Sequence, residues 1–181
     1  DATTLCTGCT GLLQVISKQP VTIQEVFSTV KSELQSYADR GIFQNFSVAE
    51  DEAGNTAEFR FNWLSEAPFQ LKLNTAKSEL ELKNILPAVP YRSDMDRAYR
   101  QFLTERCDAS LPAHRRLDSE RFSFQCKNRQ AKLSVIIGFS ENDGGEAART
   151  AINLLHETFN NFLMEGPYQN YMVEVFNVPE E

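Results

Sequence analysis

RFSFQCKNRQAKLSVIIGFSENDGGEAARTAINLLHETFNNFL, residues 121–163, passes through three hydrophobic periods in succession. Phe122, Phe124 and Cys126 alternate with polar residues, a Lys-Asn-Arg-Gln turn follows, and Leu133, Val135, Ile137 and Phe139 alternate again. Successive side chains of a strand point to opposite faces, so each run predicts a strand with one apolar side. Glu141-Asn-Asp-Gly-Gly145 breaks the alternation. Ala148, Ala151, Ile152, Leu155, Phe159, Phe162 and Leu163 then line one broad face of a helix, which Gly166-Pro167 stops near Glu165. Strand, turn, strand, acidic loop, amphipathic helix is an architectural signature and carries no catalytic motif.

The same alternation recurs upstream. Ile42, Phe46 and Val48 share one face, and after the polar loop Glu50–Thr56 so do Ala57, Phe59, Phe61 and Trp63. Pro68 precedes Phe69, Leu71 and Leu73, and a turn near Asn74–Lys77 leads to Leu80 and Leu82, flanked by Glu79, Glu81 and Lys83. Period-two runs joined by short turns predict an antiparallel meander with one wet face. In front of it, Thr22 and Glu25 have capping-box spacing, and Ile23, Val26, Val30, Leu34 and Tyr37 predict a helix over 23–39 that Gly41 ends. Pro87 and Pro90 mark the crossing to a second helix, opened by Ser93 and Asp96, with Ala98, Tyr99, Phe102 and Leu103 as its stripe. Asp108–Ser119 reads as a loop. Tyr171–Val178, with Tyr171, Val173 and Val175 alternating, reads as a closing strand. The expected class is α+β: an antiparallel sheet with helices packed on one face, in the order α-ββββ-α-ββ-α-β. Residues 1–20 form an N-terminal segment with a C-x-x-C pair, and residues 21–181 a single domain.

With 181 residues and 13 phenylalanines the chain can build a sizeable core. No apolar run approaches the ~18 residues that a membrane span needs. The net charge of −7 is unevenly spread. Residues 92–132 carry ten Lys/Arg against six Asp/Glu, whereas residues 133–181 carry one against eight. Such asymmetry steers an oppositely charged protein or a second copy. A pI near 5.0 argues against nucleic acid as the main partner.

Cys6, Cys9, Cys107 and Cys126 are an even set in a modest chain, the pattern of disulfides in an exported (periplasmic or extracellular) protein. The start at Asp1, without Met or an apolar leader, fits either a mature chain after signal cleavage or a trimmed one, and the cysteines favour the first. Three pairings are open; Cys107–Cys126 with Cys6–Cys9 is preferred, because Cys126 is in phase with Phe122 and Phe124 and so faces the helices. Cys6-Thr-Gly-Cys9 also has the spacing of a redox pair, although no strand precedes it as in thiol-disulfide folds, and no second C-x-x-C completes a zinc site. His114 and His156 have no acid or nucleophile at motif spacing. Glu50-Asp-Glu52 and Glu141–Gly145 lack the ordered oxygen ligands of a calcium loop and read as turns, with Asn142 or Asp143 as a helix cap. Asn45-Phe-Ser47 is a glycosylation sequon inside a predicted strand. No P-loop, dinucleotide fingerprint, nucleophile elbow or zinc-protease motif is present, so no catalytic residue, metal or cofactor is assigned. Arg97, Arg100, Arg115, Arg116 and Trp63 are candidate partner-binding residues, with the Tyr168–Tyr171 region as a further aromatic anchor.

From Leu71 to Leu163 the chain resembles the YbjN family, whose fold is that of type III secretion chaperones. The residues that carry this are Leu71-Lys-Leu73 and Leu80-Glu-Leu82, the Ser93–Arg106 helix, the hairpin Phe122–Phe139 and the helix from Gly144 to Leu163. The resemblance implies a non-enzymatic protein-binding domain, often dimeric, that grips partner segments on its sheet or helical surface. The expected function is therefore an exported, chaperone-like protein-binding domain, its partner another protein or itself as a homodimer. Two other readings stay open: a thiol-disulfide protein using Cys6 and Cys9, and a carrier of a small apolar ligand between helices and sheet.

Overall fold

The computed structural model describes residues 21–63 and 66–176. The elements are α1 (Ile23–Asp39), β1 (Gln44–Glu50), β2 (Thr56–Asn62), β3 (Phe69–Asn74), β4 (Glu79–Pro87), α2 (Asp94–Glu105), β5 (Ser123–Arg129), β6 (Lys132–Gly138), α3 (Gly144–Glu157), a π-helical segment (Thr158–Met164) and α4 (Gln169–Phe176). The strands form one fully antiparallel sheet in the order β1-β2-β3-β4-β6-β5. The helices cover one of its faces, so the class is α+β as the alternation predicts.

Ala57, Phe59, Phe61, Leu71, Leu73, Leu80, Leu82, Leu133, Val135 and Ile137 make the covered face, each at most 3% exposed. Burying one such Phe or Leu stabilises the fold by about 1.5–3 kcal/mol. The open face carries Glu58, Arg60, Lys72, Glu81, Lys83 and Lys127, in register across the strands.

Local signals set the helix ends. Thr22 and Glu25 form the reciprocal capping box, and Gly41 at φ +74° ends α1 with the Ile42 N–H on the Tyr37 carbonyl at 2.9 Å. The small residues that open α3 let it lie close to α1: a Cβ on Gly144 would stand 3.2 Å from a Val30 methyl and one on Gly145 3.2 Å from a Thr29 methyl. Glu33 and Arg149 close the same contact by a forked ion pair.

Four expectations are corrected. Tyr171–Phe176 belongs to α4 and not to a strand: Met172 and Phe176, four apart, are both buried, while Tyr171 and Val175 pack beside them. A short apolar run fits both periods, and here the helical one wins because only one side meets the core. The long third helix changes pitch at Thr158, where the wider π turn carries Phe159 to Phe69 and Phe176, and Phe162 to Tyr99 and Tyr168. In β1 a bulge with Asn45 at φ +53° breaks the simple alternation, so Phe43, absent from the expected set, is 4% exposed and stacks on Phe61. The β5–β6 turn is tighter than Lys-Asn-Arg-Gln: Arg129 still pairs with Lys132, leaving only Gln130 and Ala131 in the turn, both left-handed.

Candidate functional site

A sheet of this kind has two edges, and this chain treats them differently. In β5, the Arg129–Lys132 pair closes a two-residue turn, so Lys127 and Gln125 bond inward to β6 while Cys126 and Asn128 turn their backbone groups outward. The outward Cys126 carbonyl is taken at 3.0 Å by Nη1 of Arg100 from α2. Arg100 is held there by Asp96, which is 1% exposed and accepts from Arg100 Nε (3.1 Å), the Arg92 N–H (3.2 Å) and Asn128 Nδ2 (2.9 Å). Burial pushes the Asp96 carboxyl up, but these donors outweigh it and hold it below the ordinary aspartate range. Asn128 Nδ2 also reaches the Val89 carbonyl, which ties the β4–α2 connection to the same edge. One outward carbonyl of the β5 edge, that of Cys126, is thus taken by a side chain of α2.

The β1 edge is bare among the described residues. The Asp51 N–H to Thr56 carbonyl bond (3.0 Å) sets the phase of the β1–β2 ladder. Ala49 then bonds inward to Glu58 and Ser47 to Arg60, while Val48 and Glu50 direct their N–H and C=O groups away from the sheet. No Lys or Pro stands on β1, and its bulge lies near the start of the strand, ahead of Val48 and Glu50.

The open face has a hollow of about 480 Å³ at the β4–β6–β5 end, lined by Gln70, Glu81, Lys83, Lys127, Arg129 and Lys132 with Asn84, Gln130 and Ser134. Its floor is shaped by the irregularity between Leu82 and Leu86 of β4, where Asn84 sits at φ +52° and its N–H donates to Ser134 Oγ at 2.9 Å. Lys83 pairs with Glu58 at 3.3 Å.

The partner-binding candidates named from sequence are engaged within the fold. Arg97 bonds Asp94 and the Arg92 carbonyl, and Arg116 the Ala109 carbonyl. Arg115 donates to Asn161 Oδ1 at 2.8 Å and approaches Glu157, which also pairs with Arg106 at 3.0 Å and accepts from Asn161 Nδ2 at 2.7 Å. This knot fastens the 108–119 loop and the end of α2 to the π segment. Trp63 stacks on His156, whose Nε2 meets Asn160 Nδ2 at 2.7 Å. Tyr168 stacks on Phe162, and the Tyr171 hydroxyl donates to the Pro87 carbonyl. Asp143 holds the position before α3 but pairs with Arg121 instead of capping the helix.

The expected Cys107–Cys126 bridge is absent, since both are free thiols. Cys126 faces the helices, as its phase predicts, whereas Cys107 turns its thiol back onto the Leu103 carbonyl at 3.4 Å. Burial pushes Cys126 up to about 11 and also raises Cys107, so neither is a reactive thiolate. Cys6 and Cys9 lie outside the described residues. Among the described residues no group of three His, Cys, Asp or Glu side chains is placed to hold a metal, and no helix is long and apolar enough to cross a membrane. The covered face is filled by its own side chains, with Phe59, Phe61, Leu71, Leu80 and Phe159 at 0–2% exposure where an apolar ligand would have to sit.

Comparison with protein-family models, with curated proteins and with solved structures returned no match.

Sequence reasoning singled out neither Val48 and Glu50 nor Lys83, Lys127, Arg129 and Lys132. The cations had a signal: 127 and 129 alternate in phase, and a two-residue turn puts 132 on their face. Which edge was bare had none, because it depends on what α2 covers.

Proposed function

We propose that this chain is a non-enzymatic protein-binding domain that takes an extended segment of another chain as an added strand along β1. The observation that carries the reading is the contrast between the edges: on β5 the Arg100 side chain lies against the edge and takes the outward Cys126 carbonyl, while β1 presents outward backbone groups at Val48 and Glu50 with no partner among the described residues. Main-chain bonding of this kind supplies affinity with little demand on sequence, which suits a chaperone-like role. A second copy fits the same edge. With a two-fold axis at Val48, Glu50 falls opposite Phe46 of the other copy and no like charges meet. The element order as far as α3 is that expected of the YbjN-like resemblance and supports the reading. Export belongs to the proposal through the cysteine count, which now rests on Cys6 and Cys9.

The test is proline substitution. Glu50→Pro removes an outward N–H and leaves the β1–β2 ladder intact, a position where proline is tolerated. Ala49→Pro breaks an inward bond and serves as the destabilised control. Sedimentation over a concentration series, with native cross-linking and pulldown, should show self-association or specific capture by the parent chain. Glu50→Pro should lose it at an unchanged melting temperature. Association that survives Glu50→Pro, or its absence in the parent chain, removes strand addition.

A further inference from the structure

We infer that the hollow at the β4–β6–β5 end of the open face is a binding site for an acidic peptide segment in extended conformation. It uses a different surface from the β1 edge and stands independently of strand addition there. Four cations converge on it, Lys83 from β4, Lys127 and Arg129 from β5 and Lys132 from β6, against the single carboxylate of Glu81. This occurs in a chain whose net charge is −7. Lys83 has Glu58, but no described carboxylate pairs with Lys127, Arg129 or Lys132.

Arg129 and Lys132 are direct cross-strand partners on the same face. Like charges directly opposite each other destabilise a sheet. An anion seated between them turns that repulsion into attraction, and nothing within the described fold supplies one. The backbone beneath the hollow is also unusual, because Asn84, inside the β4 irregularity, holds a left-handed conformation at φ +52°. A bulge of this kind re-aims the neighbouring side chains of its strand, here those of Lys83 and Asn84.

The spacing selects the occupant. Lys127 and Arg129 are two residues apart on one strand, so their Cα atoms stand about 6.8 Å apart. Alternate carboxylates of an extended segment have the same repeat, and Lys83 and Lys132 flank the line. Gln70, Asn84 and Gln130 bring amide groups suited to a peptide backbone. A lone phosphate is far smaller than a hollow of about 480 Å³. A nucleic acid needs a broadly basic footprint, which an acidic domain with a local excess of three cations does not offer.

The experiment measures fluorescence anisotropy of a labelled, end-blocked octapeptide of alternating Glu and Thr against the full chain at low and at physiological salt. The Gln-for-Glu peptide and labelled oligothymidylate are the comparison probes. The double variant Lys127→Gln/Arg129→Gln should weaken the Glu peptide by about tenfold or more, as expected for two charge-assisted contacts, with its thermal transition unchanged. Lys77→Gln, outside the hollow, should leave binding as it is, and Glu81→Gln should tighten it. The inference is overturned by equal binding of the Gln peptide, by tighter binding of oligothymidylate, by a double variant that binds as well as the parent, or by no saturable binding at low salt. Glu50→Pro should bind the peptide normally, so failure here and failure of strand addition are read separately.

Discussion

Asp96 is the residue whose removal tests how the sheet's far edge is held. Its carboxylate is 1% exposed and receives four donor contacts: Arg100 Nε and Nη2, the Arg92 N–H and Asn128 Nδ2, at 2.9–3.3 Å. Breaking a buried ion pair from one side costs about 3–5 kcal/mol. The Arg100 side chain is 37% exposed, so water can reach the guanidinium once the carboxylate is gone. That places Asp96→Ala at the low end, about 3 kcal/mol. For a domain of this size the loss corresponds to a melting temperature lower by roughly 6–12 °C. Asp96→Asn should lose less, because the amide keeps one acceptor and the volume. A double-mutant cycle with Arg100→Ala, read by urea denaturation, should return a coupling above about 1 kcal/mol. The pH dependence has a fixed sign. The folded carboxyl lies below its unfolded value, so its contribution is complete above the ordinary aspartate range and is lost as the pH falls through the folded value. The gap between the parent and Asp96→Ala should hold steady near neutrality and shrink only below about pH 4. A loss under about 1 kcal/mol, or a gap that already closes between about pH 5 and 7, would refute the account of Asp96 as the anchor of this edge.

Two further outcomes follow from local geometry. Ala131 sits at φ +57° in the β5–β6 turn, so Ala131→Gly should raise stability by about 0.5–1 kcal/mol in chemical denaturation, the left-handed penalty less glycine's extra entropy; unchanged or lower stability contradicts the strain. Cys126, raised to about 11, should alkylate with iodoacetamide at pH 8 far more slowly than free glutathione, its rate climbing steeply into the alkaline range. Labelling as fast as glutathione would mean that the thiol is not held in the helix–sheet layer.

The sequence made the covered face of the sheet legible because burial there is strictly periodic. Phe59, Phe61, Leu71, Leu73, Leu80, Leu82, Val135 and Ile137 all lie on the side their alternation predicts. Periodicity failed where the backbone leaves the regular path. The bulge at Asn45 turns Phe43 inward, and the π turn after Glu157 re-aims Phe159 and Phe162; neither Asn45 nor Thr158 announces this by residue type. It failed again in Gln169–Phe176, where eight helical residues give too short a run to separate the two periods. The internal bonds of the binding candidates were not legible, for another reason. Arg100 has one local partner in Asp96, four residues before it, but its bond to the Cys126 carbonyl 26 residues away and that of Arg115 to Asn161 46 residues away leave no trace in sequence. Unpaired cations are identified only after the paired ones have been accounted for.

Charge segregation links the two proposed surfaces. Six of the eight acids of residues 133–181 lie between Glu141 and Glu174; Asp143, Glu146 and Glu157 are paired with arginines, which leaves Glu141, Glu165 and Glu174 without an ion-pair partner among the described residues. The basic hollow looks out from the opposite side of the sheet. Two copies could therefore attract face to back, the helical layer of one over the hollow of the next. That contact is heterologous: each copy would keep one free face of each sign, and the stack would not close. Pairing along β1 is isologous and closes at two chains, leaving both hollows open on the resulting sheet. Of the two proposed surfaces, β1 is the one compatible with a closed dimer. The hollow is then left to a different acidic chain, held by charges that weaken with salt while the β1 pairing, made of main-chain bonds, does not.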